Sequence, residues 1–301
     1  MTAKACLRSM RLRTLPLSLA GITLGVLLAA GGHDFSWLTV SLLALTTVCL
    51  QILSNLSNEL GDTLHGTDRA DRQGIHYSIQ DGEMTVREME RLIGCFAALS
   101  AVFGLAMVWS AFGTVLAPLP IAFLVLGAAA IWAAMHYTLG ENPYGYRGLG
   151  DIFVFIFFGL ATVCGGYFLT CLEWDWAILL PAASIGCLSV GVLNVNNIRD
   201  MKSDAATRTT VAIKLGLRRA RIYQTLLIMV AWVLMIVFSF AVGPTSWWRL
   251  LFVATMGTFF AHLKGVWTLE DRALDRMLPL LVISTFNFAL LAGIGWMIAQ
   301  I

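Results

Sequence analysis

The sequence predicts an all-α integral membrane protein, with about nine transmembrane helices bundled around a central cavity and the N-terminus in the cytoplasm. Three observations carry this. Of the 301 residues, 58% are hydrophobic and only 13% charged, against roughly 25% charged in a soluble domain. Nine apolar runs approach the roughly 20 residues that span hydrocarbon. They lie near 14–32, 36–57, 92–110, 113–138, 152–172, 177–198, 222–242, 249–267 and 278–300. Finally, all of the 20 Lys and Arg except Arg249 fall before the first run or at and after the ends of even-numbered runs. Basic residues favour the cytoplasm, so the N-terminus is expected inside and, with an odd count, the C-terminus outside.

Residues 1–301 read as one transmembrane domain, with no low-complexity stretch or soluble segment inside it. Four cations precede Leu15, as in a signal peptide, yet no clear small-residue cleavage site follows, so the first run is expected to be retained. The net charge of +2 gives no reason to expect a nucleic-acid partner. The six cysteines lie scattered without C-x-x-C spacing and read as small hydrophobes.

Three connections are long and charged: 58–91, 199–221 and 268–277. In the first, Thr85 and Glu88 have capping-box spacing, which starts the third helix near Thr85, ahead of the apolar run. Upstream, Asn58 and Asp62 share a helix face. Asp68 lies about 240° further round an ideal helix, so it could join them only after a break, which Gly66 offers. In the second connection Asn196, Asp200 and Asp204 are expected to rise along one face. The spacing of Asn58 and Asp62 recurs in Asn196 and Asp200 as a weak internal repeat.

Amides are costly in a membrane helix and usually face a cavity or partner. Gln51, Asn55 and Asn58 lie in or at the end of the second helix, and Asn194, Asn196 and Asn197 in the sixth. Carboxylates without His or Cys nearby suit a hard cation, and Mg²⁺ typically takes one or two of them and completes its shell with phosphate oxygens and water. Two such clusters beside Arg199, Lys202, Arg208 and Lys214 suit a lipid diphosphate, with its head in water and its tail in hydrocarbon. Singly, each acid reads as a solvated helix end, and His65 and His76 as solvated loop residues. An ion-coupled transporter is the reading from another class. It would place polar groups near the bilayer midplane, whereas these clusters end helices on one face.

The pattern Asn58-x-x-x-Asp62 with Gly66-x-Asp68, and Asn197-x-Arg199-Asp200-x-x-x-Asp204, resembles the UbiA-type intramembrane prenyltransferases. The resemblance runs from Arg13-Thr14-Leu15-Pro16 to the ninth helix. Gly66-x-Asp68-x-x-Asp71-Arg72 and the stretch from Pro143 to Asp151 are most similar to the branch that prenylates 1,4-dihydroxy-2-naphthoate in menaquinone synthesis. Glu59 departs from the family's usual Asp, and the segment between Asp204 and Arg208 is one residue short and lacks the usual Gly.

The resemblance implies transfer of a polyprenyl chain from polyprenyl diphosphate to that aromatic acid, with loss of CO₂ and diphosphate, giving demethylmenaquinone. Prenylation of 4-hydroxybenzoate or of haem is the alternative within the family. Asp62, Asp68, Asp200 and Asp204 are then expected to hold Mg²⁺, assisted by Asn58 and Asn197. Asp71, Arg72, Arg199, Lys202, Arg208 and Lys214 would bind the diphosphate, and Arg13 and Arg147 the acceptor's carboxylate. Tyr137 and Tyr146 would border the allylic cation, and Asp151 would act as base. The implied setting is the bacterial cytoplasmic membrane, with the site facing the cytoplasm.

Overall fold

The computed structural model describes residues 2–66, 78–242 and 246–300. Among these, nine helices are long and apolar enough to cross a membrane: α1 Ala3–Ala30, α2 Trp37–Leu64, α3 Val86–Phe112, α4 Pro118–His136, α5 Gly150–Cys171, α6 Trp176–Arg199, α7 Leu217–Ala241, α8 Trp247–Thr268 and α9 Asp271–Gln300. The chain is an integral membrane protein, and the count matches the nine apolar runs.

The helices outgrow their runs where local signals allow it. Thr85 and Glu88 form both halves of the capping box, and α3 starts one residue later. The run 113–138 is shorter as a helix than the apolar pattern implied. Gly113 (φ 68) takes the left-handed conformation that closes α3, and Pro118, pre-set for a first turn, opens α4. α1 is broken at Arg11, whose φ of 49 and ψ of 51 are left-handed, before Pro16 restarts the apolar stretch. α5 carries a π-helical segment at Phe155–Ala161.

Without a hydrophobic force between helices in lipid, close approach at small residues does the packing. A side chain at Gly21 or Gly25 of α1 would collide with α5, one at Gly293 of α9 with Leu27 of α1, and one at Gly159 of α5 with the Gly186 backbone of α6. α2 packs extensively on α3, α6 on α7, and α8 on α9. The end opposite the acidic motifs carries exposed Trp37, Trp174, Trp176, Trp247 and Trp248, as befits a membrane–water interface. All six cysteines are free; Cys49 and Cys187 are buried and Cys95 is exposed.

Candidate active site

The break in α1 frees the Met10 carbonyl, and α2 takes it up. Asn55 Nδ2 donates to Met10 O at 2.9 Å and to Thr14 Oγ1 at 3.0 Å, and Gln51 Nε2 donates to the same hydroxyl at 3.2 Å. A non-helical backbone at membrane depth needs such partners. These two amides therefore hold the bend that turns Arg11 and Arg13 into a polar cavity at this end of the bundle. In α6, Asn194 serves packing in the same way, donating to Gln224 Oε1 of α7 at 2.9 Å.

α2 runs unbroken to Leu64, so Asn58 and Asp62 do share a face, and both line that cavity. Thr138 can approach α2 because Gly61 leaves room, and it donates to Ser57 O at 2.9 Å and Asn58 Oδ1 at 3.3 Å. Gly66 then turns at φ 66, the break that Asp68 would need. Asp68, Asp71, Arg72 and His76 lie outside the described residues.

The second motif is not the single face that its spacing predicts. α6 stops at Arg199, Asp200 caps it with non-helical dihedrals, and a short helix Met201–Asp204 follows. The two acids consequently diverge. Asp200 is fully buried and held by its neighbour, with Arg199 Nε donating to Oδ1 at 2.8 Å and Nη2 to Oδ2 at 2.6 Å. Arg199 also reaches Asp275 Oδ1 at 2.6 Å and Asn196 Oδ1 at 2.9 Å, and it lines the polar cavity.

Asp204 instead meets the first motif through Arg208. The Arg208 Nε lies 2.9 Å from Asp204 Oδ2, and its Nη1 lies 3.6 Å from Asp62 Oδ1. Tyr146 completes the junction. Its hydroxyl donates to Asp62 Oδ1 at 2.8 Å, and the Arg208 guanidinium sits 5.2 Å from its ring centroid. Thr209 N, donating to Tyr146 O at 2.9 Å, ties the two loops together. Burial opposes the charge on Arg208, but the Asp62 and Asp204 carboxylates outweigh it and hold the guanidinium pKa above its ordinary value. Burial likewise raises that of the Tyr137 hydroxyl, which stays a neutral donor.

The polar cavity, about 200 Å³, is lined by Arg11, Arg13, Asn58, Asp62, Asn197, Arg199 and Arg208. A second cavity of about 190 Å³ lies beside it among apolar residues of α2, α4 and α5. Gln51, Tyr137, Val154 and Phe158 line both, so a charged cavity and a largely apolar one adjoin each other.

Other predicted residues sit elsewhere. Lys202 is exposed and pairs with Asp271 at 2.7 Å, which raises its pKa. Arg147 and Lys214 are exposed and line neither cavity. Asp151 lines neither cavity; its Oδ2 accepts from Tyr223 of α7 at 3.0 Å. Arg11, Asp271 and Asp275 were not singled out from sequence. The four-residue spacing of Asp271 and Asp275 in the third charged connection was the available signal.

The donor set is all oxygen: two acids converge on one cation, and two amides line the cavity beside them. No group of three or more His, Cys, Asp and Glu side chains is assembled among the described residues. Two carboxylates with amide oxygens beside them suit a cation that takes one or two carboxylates and finds its remaining oxygens on a phosphate, as magnesium does.

The fold and these adjoining cavities, one charged and one largely apolar, are those of an intramembrane protein with room for an amphiphilic molecule. Residues 18–291 match the UbiA prenyltransferase family, and the chain belongs to it. It is 40% identical over 255 residues to the 1,4-dihydroxy-2-naphthoate octaprenyltransferase of Escherichia coli (strain K12), covering 84% of this chain and 82% of that protein. Its identity to the protein of the same description from Haemophilus influenzae is 38%, covering 94% of each chain. Among solved structures, the apo UbiA homologue from Aeropyrum pernix K1 superposes with a TM-score of 0.70 at 17% identity, covering 94% of this chain and 98% of that one. A UbiA homologue from Archaeoglobus fulgidus bound to GPP and Mg²⁺ gives 0.66 at 18%, covering 96% and 99%.

Proposed function

We propose that the protein transfers a polyprenyl group from polyprenyl diphosphate to 1,4-dihydroxy-2-naphthoate, in the bacterial cytoplasmic membrane and with its site facing the cytoplasm. One observation supports this above the rest: a cavity lined by Asp62 and Arg208 adjoins one lined largely by apolar side chains. A diphosphate with an isoprenoid tail has that same division. The relatives at 40% and 38% identity favour the naphthoate acceptor.

Asp62 and Asp204 would hold Mg²⁺ with Asn58 and Asn197, together with Asp68 from outside the described residues. Asp200 would have to exchange Arg199 for the metal to join them. The ion, when bound, supplies charge neutralisation to the departing diphosphate, a contribution of several kcal/mol. Arg11, Arg199 and Arg208 add to it from the cavity wall. The allylic C–O bond breaks with its electron pair going to diphosphate, and the cation forms where Phe158 and Tyr137 exclude water that would otherwise trap it. The ring carbon bearing the carboxylate then attacks. Carbon dioxide leaves its electron pair in the ring, and protonation gives the quinol form of demethylmenaquinone. Arg13, which lines the polar cavity, would hold the acceptor's carboxylate before transfer.

The test is a product assay with purified protein, Mg²⁺, a polyprenyl diphosphate and carboxyl-labelled acceptors. Label is expected as CO₂ from 1,4-dihydroxy-2-naphthoate. A preference for 4-hydroxybenzoate, with label retained in the lipid, would overturn the acceptor assignment. Turnover that persists in chelator would remove the metal.

A further inference from the structure

One acid beside the polar cavity belongs to neither motif. Asp275 lies in the turn Asp271–Arg276 that leads into α9, and its two carboxylate oxygens face different arginines. Oδ1 accepts from Arg199 Nη1 at 2.6 Å, and Oδ2 lies 3.9 Å from Arg13 Nη1. Both arginines line the cavity, Arg13 from the turn that follows the break in α1 and Arg199 from the end of α6.

The two guanidinium groups differ in how firmly they are held. The Arg199 side chain is 4% exposed, and Asp200 and Asn196 also fix it. That of Arg13 is 40% exposed, and Asp275 is the one acid it pairs with among the described residues. A long exposed side chain keeps its rotamer freedom unless a partner removes it. Two cations that face one small cavity also repel each other, and an acid between them offsets that repulsion.

Asp275 can serve as such a bridge because its own turn is anchored to the end of α6. Leu274, 1% exposed, packs with Ile198 of α6 and Ala220 of α7. Lys202 Nζ donates to Asp271 at 2.7 Å, and Arg221 Nη2 donates to Leu269 O at 2.8 Å. On the other side of Asp275, Leu278, Pro279 and Val282 of α9 line the polar cavity.

We infer that Asp275 is a positioning residue: it sets the spacing between Arg13 and Arg199, and so the distance between the acceptor's carboxylate and the donor's diphosphate. This rests on the reading that Arg13 takes that carboxylate and Arg199 that diphosphate. Both substrates are anions, so charge draws each to its arginine with or without the bridge. The bridge adds the register of the acceptor's ring carbon against the allylic carbon. Rate depends steeply on that register, since a misplacement of about 1 Å can cost about 10²-fold. When register is lost, the allylic C–O bond still breaks. Water then adds to the cation and gives up a proton, leaving prenyl alcohol.

Asp275→Glu keeps the charge but lengthens the bridge by a methylene. The assay uses lipid nanodiscs with Mg²⁺, a polyprenyl diphosphate and 1,4-dihydroxy-2-naphthoate. The thermal midpoint and both KM values should stay near those of the parent protein. Transfer kcat should fall about tenfold, within the scale of a small misplacement, and prenyl alcohol should appear. A parent-like kcat in Asp275→Glu would reduce Asp275 to a charge partner and overturn the inference. So would a rise in KM at unchanged kcat. A double-mutant cycle gives the second measurement. A bridge broken at one end is already broken, so Asp275→Asn should cost kcat about tenfold alone and little in the Arg13→Ala background. Effects that add, as they do for independent sites, would overturn the bridge. A parent protein that prenylates no aromatic acid would overturn the reaction and the bridge together, whereas additivity in an active parent would overturn the bridge alone.

Discussion

At the end of α2, Asp62 turns toward Arg208 and Tyr146 while Glu59, fully buried, accepts the backbone N–H of Ile79 at 3.0 Å. At the end of α6, Asp204 turns toward the same Arg208 while Asp200 is taken up by Arg199. Each motif thus supplies one acid to the junction and uses another to hold a neighbouring element. The sequence repeat aligned Asp62 with Asp200, but by partner the counterpart of Asp62 is Asp204. The difference comes from where the helices stop. α2 carries its acid past the last apolar turn on a continuous face, whereas α6 ends before its acids and the chain folds back to bring Asp204 in.

The junction acids should show the largest effect. Asp62→Asn and Asp204→Asn are each expected to cut kcat by about 10²- to 10³-fold, the scale for losing one preorganised electrostatic contact to a developing charge. Asp62→Asn should leave the thermal midpoint in detergent nearly unchanged, because Arg208 keeps its closer partner Asp204. Near-normal turnover in the double variant would break the comparison at its centre.

Asp200→Asn separates the two kinds of acid. It removes the partner that takes two hydrogen bonds from a buried guanidinium, and breaking a buried pair costs about 3 kcal/mol or more. Turnover and thermal midpoint should therefore fall together, with Asp275 still engaged limiting the damage. A loss of turnover at an unchanged midpoint would move Asp200 into direct contact with the diphosphate site.

These acids also show how far sequence carries. Nine spans were legible because hydrocarbon imposes a length and a composition on each. The capping box at Thr85 was legible because its partners are local. Asp62 and Asp204 were legible as candidates, since acids at helix ends among intramembrane amides need a reason. What escaped was long-range geometry. Nothing in the spacing of Gln51 and Asn55 says that they cap a break in α1, nor that Arg11 adopts the left-handed bend which puts it on the cavity wall. The end of α6 at Arg199 has no Gly or Pro to announce it, so the face predicted for Asn196, Asp200 and Asp204 ran on past the real helix.

Glu59 should behave as a holding acid of smaller consequence. Glu59→Gln keeps an oxygen for the Ile79 N–H, so turnover is expected to fall by less than about tenfold, whereas Glu59→Ala leaves that N–H unpaired at a cost of about 1–3 kcal/mol. The check is rescue: kcat and thermal midpoint should both recover from Ala to Gln. Equal, severe losses of kcat in the two variants would instead make the charge of Glu59 part of the junction.

The smallest effect is expected at Lys202, and it sharpens the contrast within the second motif. Arg199 and Lys202 both reach acids of the 271–275 segment, at 2.6 Å and 2.7 Å. Their surroundings differ: the Arg199 side chain is 4% exposed and that of Lys202 is 74% exposed. Water weakens an exposed pair and offsets its gain with lost side-chain freedom, and its field is screened over about 8 Å at physiological salt. Lys202 also lines neither cavity, so its charge reaches a bound diphosphate only through water. Lys202→Ala should then change KM for the prenyl diphosphate by less than about twofold and leave kcat alone, since the pair it loses is one that solvent already screens. Raising the salt should mimic the substitution. If instead KM rises by more than about tenfold in Lys202→Ala, a loss too large for a solvated pair, the side chain must exchange Asp271 for the substrate on binding, as its position in the sequence motif first suggested.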